Sequence, residues 1–560
     1  MDHRTDSKSP MQIPRPIINL IKDGTIMKGE CDITHILAAV ALAVSVLLLP
    51  ACDTGQTCQS PQAASQAMHQ INSYAIADST GDWGYPSPYA HYTRGPGYTR
   101  MQFIFETLVW KNATAFVPQL SKQWQYNSDD NSYTFFLQEN VKWHDGTDFT
   151  ADDVVFTYNY TGEHPYQWVD GSIVKSAEAL SKYTVKLYLS KPYAPFFQDV
   201  AGSQPILPKH IWENVADPAK FTSPEAVIGT GPYILADYNK EMGTYLYKAN
   251  DSYYLGRPIV KELKFVKISE QMMPAALKES SVNSSSVPAE IAADMEAAGF
   301  TVITDSPSWN GKLTINHKIY PLSSREFRQA LAYAIDRDSL VQIVFRGNAV
   351  PGNPGMVPPT SVWYNPDAQQ YKYDPEKAKQ LIAGLGYTLE NGYFVKDGHP
   401  LKLSLIAAAD YKDLGQFIVR QLDKAGIKID FQTLEGKTVD SRVGAWEFDL
   451  SLYGHGGLYE PSIMQRWIVG EGFNSARYNS NTMLTQLLTA QLSEMDVQKR
   501  KSMISQIQEI YAGDLPALTL YYPRSYWAHD GNVPLYYTMD GISIGVPIPL
   551  NRMAFVEESK

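Results

Sequence analysis

Cysteine is scarce: the 560-residue chain has three, Cys31, Cys52 and Cys58, and none from Gln59 to Lys560. A body without cysteine holds no disulfide, no thiolate zinc site and no cysteine nucleophile. Positive charge is in deficit, with 48 Lys and Arg against 59 Asp and Glu, a formal net charge of −11. That balance argues against nucleic acid as a partner and against a basic membrane-binding face, since gripping phosphate takes clustered Lys and Arg. Long apolar runs are missing too: the stretch 36–49, broken only by Ser45, is too short to span a bilayer comfortably as a helix. His-Glu-x-x-His is also absent, so no metalloprotease motif is legible, and no catalytic residue is expected. The paired acids Asp152 and Asp153 have a sufficient explanation in the first turn of a helix, where the dipole favours them.

What is present is enough to fold. With 44% hydrophobic and 19% charged residues the chain can bury large cores, and its length calls for two or three globular units. The 36 Tyr and 11 Trp suit flat, amphipathic walls around a ligand, and large cores alone would use them equally. Residues 1–26 are polar and Pro-interrupted and read as an extension upstream of an export signal opening at Met27-Lys28, with 36–49 as its apolar core. Leu49-Pro-Ala-Cys52 is similar to a bacterial lipobox, which makes Cys52 the expected lipidation site. Pro50, Glu30 and Asp32 depart from that pattern, and the rivals are an uncleaved anchor or secretion with a Cys52–Cys58 disulfide. Residues 53–67, rich in Gln, Ser, Thr and Ala, read as a flexible tether.

The most informative stretch is 107–158. It contains Pro118-Gln-Leu-Ser-Lys-Gln-Trp124, the aromatic run Tyr133-Thr-Phe-Phe-Leu137, Val141-Lys-Trp-His-Asp-Gly146 and Phe149-Thr-Ala-Asp-Asp-Val154. The spacing predicts strand, turn, strand, helix, with Asp145-Gly146 reversing the chain and Thr150 capping the helix. His144 beside Asp145 is read as turn chemistry rather than as a metal or acid/base site. This order of segments resembles the signature of extracytoplasmic solute-binding proteins of the peptide and nickel class, the receptor subunits of ATP-driven importers.

The resemblance implies a periplasmic-binding-protein-like α/β fold, with two hinged α/β lobes and an extra domain inserted in the first. It divides the chain into 1–51 (extension and signal), 52–72 (tether), 73–104, 224–312 and 525–560 (lobe I), 105–223 (inserted domain) and 313–524 (lobe II). It implies a monomer that captures a small solute without a cofactor, delivers it to the permease and ATPase subunits of an importer, and stays at the membrane through a lipid anchor. The alternatives are a secreted hydrolase acting on peptides or glycans, or a ligand-sensing receptor using the same cleft.

Other segments fit that pattern. Gly229-Thr-Gly-Pro-Tyr233 lacks the Gly-Lys-Ser/Thr of a phosphate loop and leads into a strand. The run 325–337, capped by Ser324, places Phe327, Leu331, Ala334 and Ile335 on one helical face. Asp374 caps a helix that starts with Pro375. Strands at 401–407 and 427–432 flank a helix at 414–425, a βαβ unit. Only 272–287 departs, with Ala276-Leu277 followed by Lys-Glu-Ser-Ser-Val-Asn-Ser-Ser-Ser where an acidic, Gly-containing turn is usual.

Two stretches carry the expected ligand site. The density of Gly and Pro in 81–100 excludes regular helix, and by the resemblance Tyr92, Arg94 and Tyr98 line the cleft. The strand 448–452 runs into Tyr453-Gly-His-Gly-Gly-Leu-Tyr-Glu-Pro461, where bare backbone lets His455 face a cavity. Tyr453, His455 and Tyr459 are therefore expected at the ligand, His455 also as a metal contact. Peptide-binding members carry an aspartate here that pairs with the ligand's ammonium. Gly457 and Leu458 supply no carboxylate, and Tyr459 before Glu460-Pro461 matches the nickel-type members. The ligand stays open between a short peptide-like solute and a metal chelate.

Overall fold

The computed structural model describes residues 70–305, 309–456 and 460–558. Two mixed sheets organise them. A seven-stranded sheet runs in the order Thr301–Thr304, Tyr526–His529, Ser284–Val287, Ile71–Asp78, Val260–Lys267, Thr244–Ala249 and Tyr233–Asn239. A six-stranded sheet runs Ala349–Pro351, Ala517–Pro523, Asn310–Ile315, Leu450–His455, Lys402–Ala408 and Lys428–Leu434. Each has its own core. Tyr74, Ile76, Leu263 and Phe265 pack with Phe103 and Phe555 on the first, while Leu313, Leu405, Phe327 and Phe417 pack on the second. These are the two α/β lobes.

The chain crosses between them twice, from Thr304 to Asn310 and back from Pro523 to Tyr526. The crossings are themselves joined, because the Asp305 amide donates to the Ser525 carbonyl at 3.0 Å. Between the first lobe's segments lies a four-stranded antiparallel sheet, Ser121–Asn127, Ser132–Leu137, Thr184–Leu189 and Val174–Ser181, covered by helix Ala151–Glu163. Phe135, Val185, Leu187 and Val154 form its separate core.

Local sequence explains most boundaries. Thr150 and Asp153 make a reciprocal capping box at the start of Ala151–Glu163, a device that typically contributes about 1 kcal/mol per cap. Asp153 also accepts from the Lys209 amide at 3.0 Å, so this acid serves the backbone. Ser324 caps Arg325–Ala334, Asp336 caps the next helix, Arg337–Val344, and Asp374 caps Pro375–Gly384. Lys402–Ala408 and Lys428–Leu434 pair in parallel around helix Lys412–Lys424, the expected βαβ unit. Gly229 and Gly231 are required by close approach: a Cβ on Gly229 would stand 2.0 Å from the Ile104 carbonyl oxygen, and one on Gly231 2.5 Å from that of Phe103.

Two expectations need correction. The hairpin of the 107–158 stretch turns at 128–131, between Ser121–Asn127 and Ser132–Leu137. Asp145-Gly146, with Gly146 at φ +89°, closes only the single bridge between Lys142 and Asp148. Regular helix is not excluded from 81–100, since Gly95–Met101 is helical with proline in its first turn, a position where the missing N–H costs nothing. The atypical 272–287 stretch nonetheless forms helix Met273–Lys278 and strand Ser284–Val287, which joins the first lobe's sheet. Cys52, Cys58, the signal segment and Tyr459 lie outside the described residues.

Candidate functional site between the lobes

A cavity of about 810 Å³ opens between the inserted domain and the second lobe. One wall is Trp168, Asp170, Lys191, Tyr193 and Asp199, and the other is Glu460, Ile463, Arg466 and Leu492. The walls touch at one edge, where the Ala194 amide donates to the Leu492 carbonyl at 2.8 Å and Leu492 packs into the inserted domain's core. A space of this size holds a small molecule with most of its surface buried.

The cavity walls carry three carboxyls, Asp170, Asp199 and Glu460, and two cations, Lys191 and Arg466. Asp199 sits on a single π-helical turn, Phe197–Ala201, and accepts from the Tyr193 hydroxyl at 2.7 Å. Burial first, and the neighbouring Glu460 carboxylate second, push the Asp199 carboxyl well above the ordinary range. Glu460 is ion-paired with Arg500, which is buried and further bonded to the Gln491 carbonyl at 3.0 Å. Asp199 and Glu460 thus face one space in which Arg500 is already committed to Glu460, with the exposed Lys191 and Arg466 also on the walls. A cationic group entering there supplies the charge that Asp199 lacks and restores its ionised form.

The residues expected at the ligand divide into separate places, and none of the five described ones lines this cavity. Tyr98 is 1% exposed in the first lobe's core, its hydroxyl donating to the Ser203 carbonyl at 3.3 Å. Tyr92 is exposed and donates to Asp82 at 3.2 Å. Arg94, also exposed, precedes helix Gly95–Met101 and acts across the lobes on Asp440, where burial raises the carboxyl and the Arg94 charge offsets part of that rise. Tyr453 and His455 do come together, on one face of the second lobe's sheet with their cross-strand partners Lys312 and Asn310. Tyr453 packs on Phe473.

His455 is 1% exposed and stacked on Trp467, ring centroids 4.5 Å apart at 19°. Trp467 belongs to helix Ile463–Ile468, whose Ile463 and Arg466 line the cavity, so the element that walls the cavity also covers the imidazole. Burial first, and the Lys312 charge second, hold His455 well below the ordinary histidine range. Neither ring nitrogen makes a hydrogen bond of good geometry among the described residues, and the Gly456 backbone beside the ring only partly offsets the burial. Lys312, 2% exposed, is itself pushed down to about 7 by burial, and its ammonium group bonds the Asn474 carbonyl. Among the described residues no three His, Cys, Asp or Glu side chains gather as a metal site.

Sequence reading missed Tyr193 and Asp199. The run Pro192-Tyr-Ala-Pro-Phe-Phe197 was visible, but the π-turn that carries Asp199 has no signature in residue types.

Comparison with known proteins follows this geometry. The family model described as "Bacterial extracellular solute-binding proteins, family 5 Middle" matches residues 115–475, more than half of the chain. The dipeptide-binding protein of Escherichia coli is 32% identical over 311 residues, an alignment covering 50% of this chain and 57% of that protein's length. The oligopeptide-binding protein AppA of Bacillus subtilis is 27% identical over 533 residues, covering 90% of this chain and 96% of AppA. Among solved structures, NikZ from Campylobacter jejuni in complex with Ni(L-His) superposes with a TM-score of 0.70 at 24% identity, over 82% of this chain and 94% of NikZ. Among the described residues no helix is long and apolar enough to cross a membrane.

Proposed function

The chain belongs to the bacterial extracellular solute-binding proteins of family 5, and from that membership we propose that it captures a short peptide in the interlobe cavity and hands it unaltered to an ABC importer. The observation that carries the choice of ligand is the carboxyl pair Asp199 and Glu460 facing a cavity of about 810 Å³. A free α-ammonium is the group that such a pair recognises, and the loop at 457–459 brings no carboxylate of its own. The names of the relatives, dipeptide-binding and oligopeptide-binding, support the same class. In this reading lobe I is made of 73–104, 224–312 and 525–560, the inserted domain of 105–223 and lobe II of 313–524. The protein acts as a monomer, tethered through a lipid on Cys52 and docking on its permease when closed on solute.

Affinity follows pH with a definite sign. The raised Asp199 carboxyl is partly protonated in the empty cavity, and an ammonium ligand binds the ionised form, so binding releases a proton. Affinity rises as pH increases from about 5 to about 7. Thermal unfolding measured with unmodified and N-acetylated dipeptides and tripeptides tests this. Free-amine peptides at 100 times their Kd stabilise by about 2.7 kcal/mol, N-acetylated ones do not, and Asp199→Asn weakens binding at least tenfold and flattens its pH dependence. Equal stabilisation by acetylated peptides removes the ammonium reading, and consumption of the peptide replaces binding by hydrolysis.

One observation favours a second ligand class. Once the Trp467 ring that covers it is displaced, the buried imidazole of His455 offers a nitrogen to a metal chelate that brings its other ligands with it. Ni(II)–histidine belongs in the same screen, and its stabilisation should vanish in His455→Leu.

A further inference from the structure

The last turn of helix Thr482–Ser493 leaves the packing of the second lobe. Leu484 and Leu488 are buried in that lobe's own core with Met464 and Ile504, whereas Leu492, one turn further along the same face, packs in the core of the inserted domain and is 9% exposed. The Leu492 carbonyl is among the last four of the helix, which have no partner within it. It accepts from the Ala194 amide at 2.8 Å, and among the described residues this is the single backbone hydrogen bond from the inserted domain to the second lobe. Ala194 itself stands before Pro195 and ahead of the turn Phe197–Ala201, so no helix claims its amide.

Each half of this contact adjoins, in the chain, a side chain that holds one of the cavity's carboxyls. Tyr193, the residue before Ala194, donates its hydroxyl to Asp199 at 2.7 Å. Gln491, the residue before Leu492, accepts from Arg500 on its carbonyl at 3.0 Å and on its side-chain oxygen at 2.9 Å, and Arg500 is the guanidinium paired with Glu460. Tyr193 and Leu492 also stand in the cavity wall. A cation bound between Asp199 and Glu460 attracts both segments, and drawing those segments apart returns Leu492 to water.

We propose that Leu492 and Ala194 form a clasp that holds the inserted domain and the second lobe together around the solute, Leu492 setting how slowly the solute leaves while the carboxyls set which solute is kept. The clasp rests on the reading of the interlobe cavity as the solute site. It contains no solute atom, so it is testable in the empty protein as well.

Hydrogen exchange at the Ala194 amide of the whole protein, with no peptide added, is the first test. Exchange is about tenfold faster or more in Leu492→Ala than in the parent, stays unchanged at the Phe135 strand amide, and returns to the parent rate in Leu492→Met, which restores the volume. Release of trialanine, followed by stopped flow, is the second. Leu492→Ala releases it about tenfold faster or more, while the ratio of affinities for trialanine and N-acetyl-trialanine stays that of the parent, because Asp199 and Glu460 are left in place. Equal exchange at Ala194 in the parent and in Leu492→Ala overturns the clasp, and so does faster exchange at Phe135 as well, which marks general loosening of the inserted domain. Release of trialanine at the parent rate, or a changed ratio, which would make Leu492 a selector of solutes, also overturns it. If trialanine does not bind the parent, the peptide reading falls and the exchange rates alone decide the clasp.

Discussion

His144 and His455 are two enclosed histidines next to glycine-rich backbone, and their surroundings use them in opposite ways. At the mouth of the inserted domain, the Gly229 amide donates to Nδ1 of His144 at 3.3 Å, Nε2 donates to the Gly231 carbonyl at 3.0 Å, and the His144 amide bonds the Gly229 carbonyl at 2.9 Å. The ring is held neutral in one tautomer, its pKa pushed down to about 4 by burial. It fastens the Val-Lys-Trp-His-Asp-Gly segment to Gly229-Thr-Gly-Pro-Tyr233. His455 is more deeply buried, and no hydrogen bond of good geometry reaches its ring nitrogens among the described residues. A buried polar group with all its hydrogen bonds made is part of the scaffold. One left without them is a cost that a ligand can relieve.

Substitutions sharpen that contrast, and the largest effect belongs to the satisfied ring. His144→Leu strips the partner from the Gly229 amide and one of two from the Gly231 carbonyl, which keeps the Asn250 side-chain amide, and urea unfolding should show a loss of about 2 kcal/mol, with solute affinity unchanged. His455→Leu removes two poorly satisfied nitrogens, so the same measurement should find stability within about 1 kcal/mol of the parent, while affinity for a metal chelate falls at least tenfold. If His144→Leu instead spared stability and lost affinity, the two roles would have to be exchanged.

A further contrast is the pH profile set by Lys312, which neighbours His455. Its folded pKa, about 7, lies below the unfolded value of about 10.4. Between those values the unfolded chain carries the extra proton, so stability rises with pH over that window and the penalty is greatest below it. Melting temperatures from pH 7 to 10 should climb in the parent protein and lose that component in Lys312→Met. An identical slope in both would show that the ammonium is not buried in solution.

Much of the scaffold was legible because it rests on local chemistry. Thr150, Ser324 and Asp374 were readable as caps, since a side-chain oxygen at the first turn answers an otherwise unpaired amide whatever lies around it. The βαβ unit at 402–434 was readable from period alone. Helix Gly95–Met101 was misread because proline density was weighed without its position. The ligand site was harder to read. Tyr98 looked available in a Gly- and Pro-rich stretch and is swallowed by the first lobe's core, whereas Asp199 looked like one acid among many and meets Glu460 only through folding.

By itself the sequence determined where helices start, which strands alternate, that the body has no cysteine chemistry, and that its arrangement is that of a solute-binding family. Only the tertiary structure decided which polar groups face one another across 261 residues, from Asp199 to Glu460, and which buried nitrogens, on His455, are left without a hydrogen bond of good geometry. The physical reason is that caps and periodicity are properties of neighbours along the chain. Charge pairing, desolvation and hydrogen-bond satisfaction depend on what the other lobe brings to the same few ångströms.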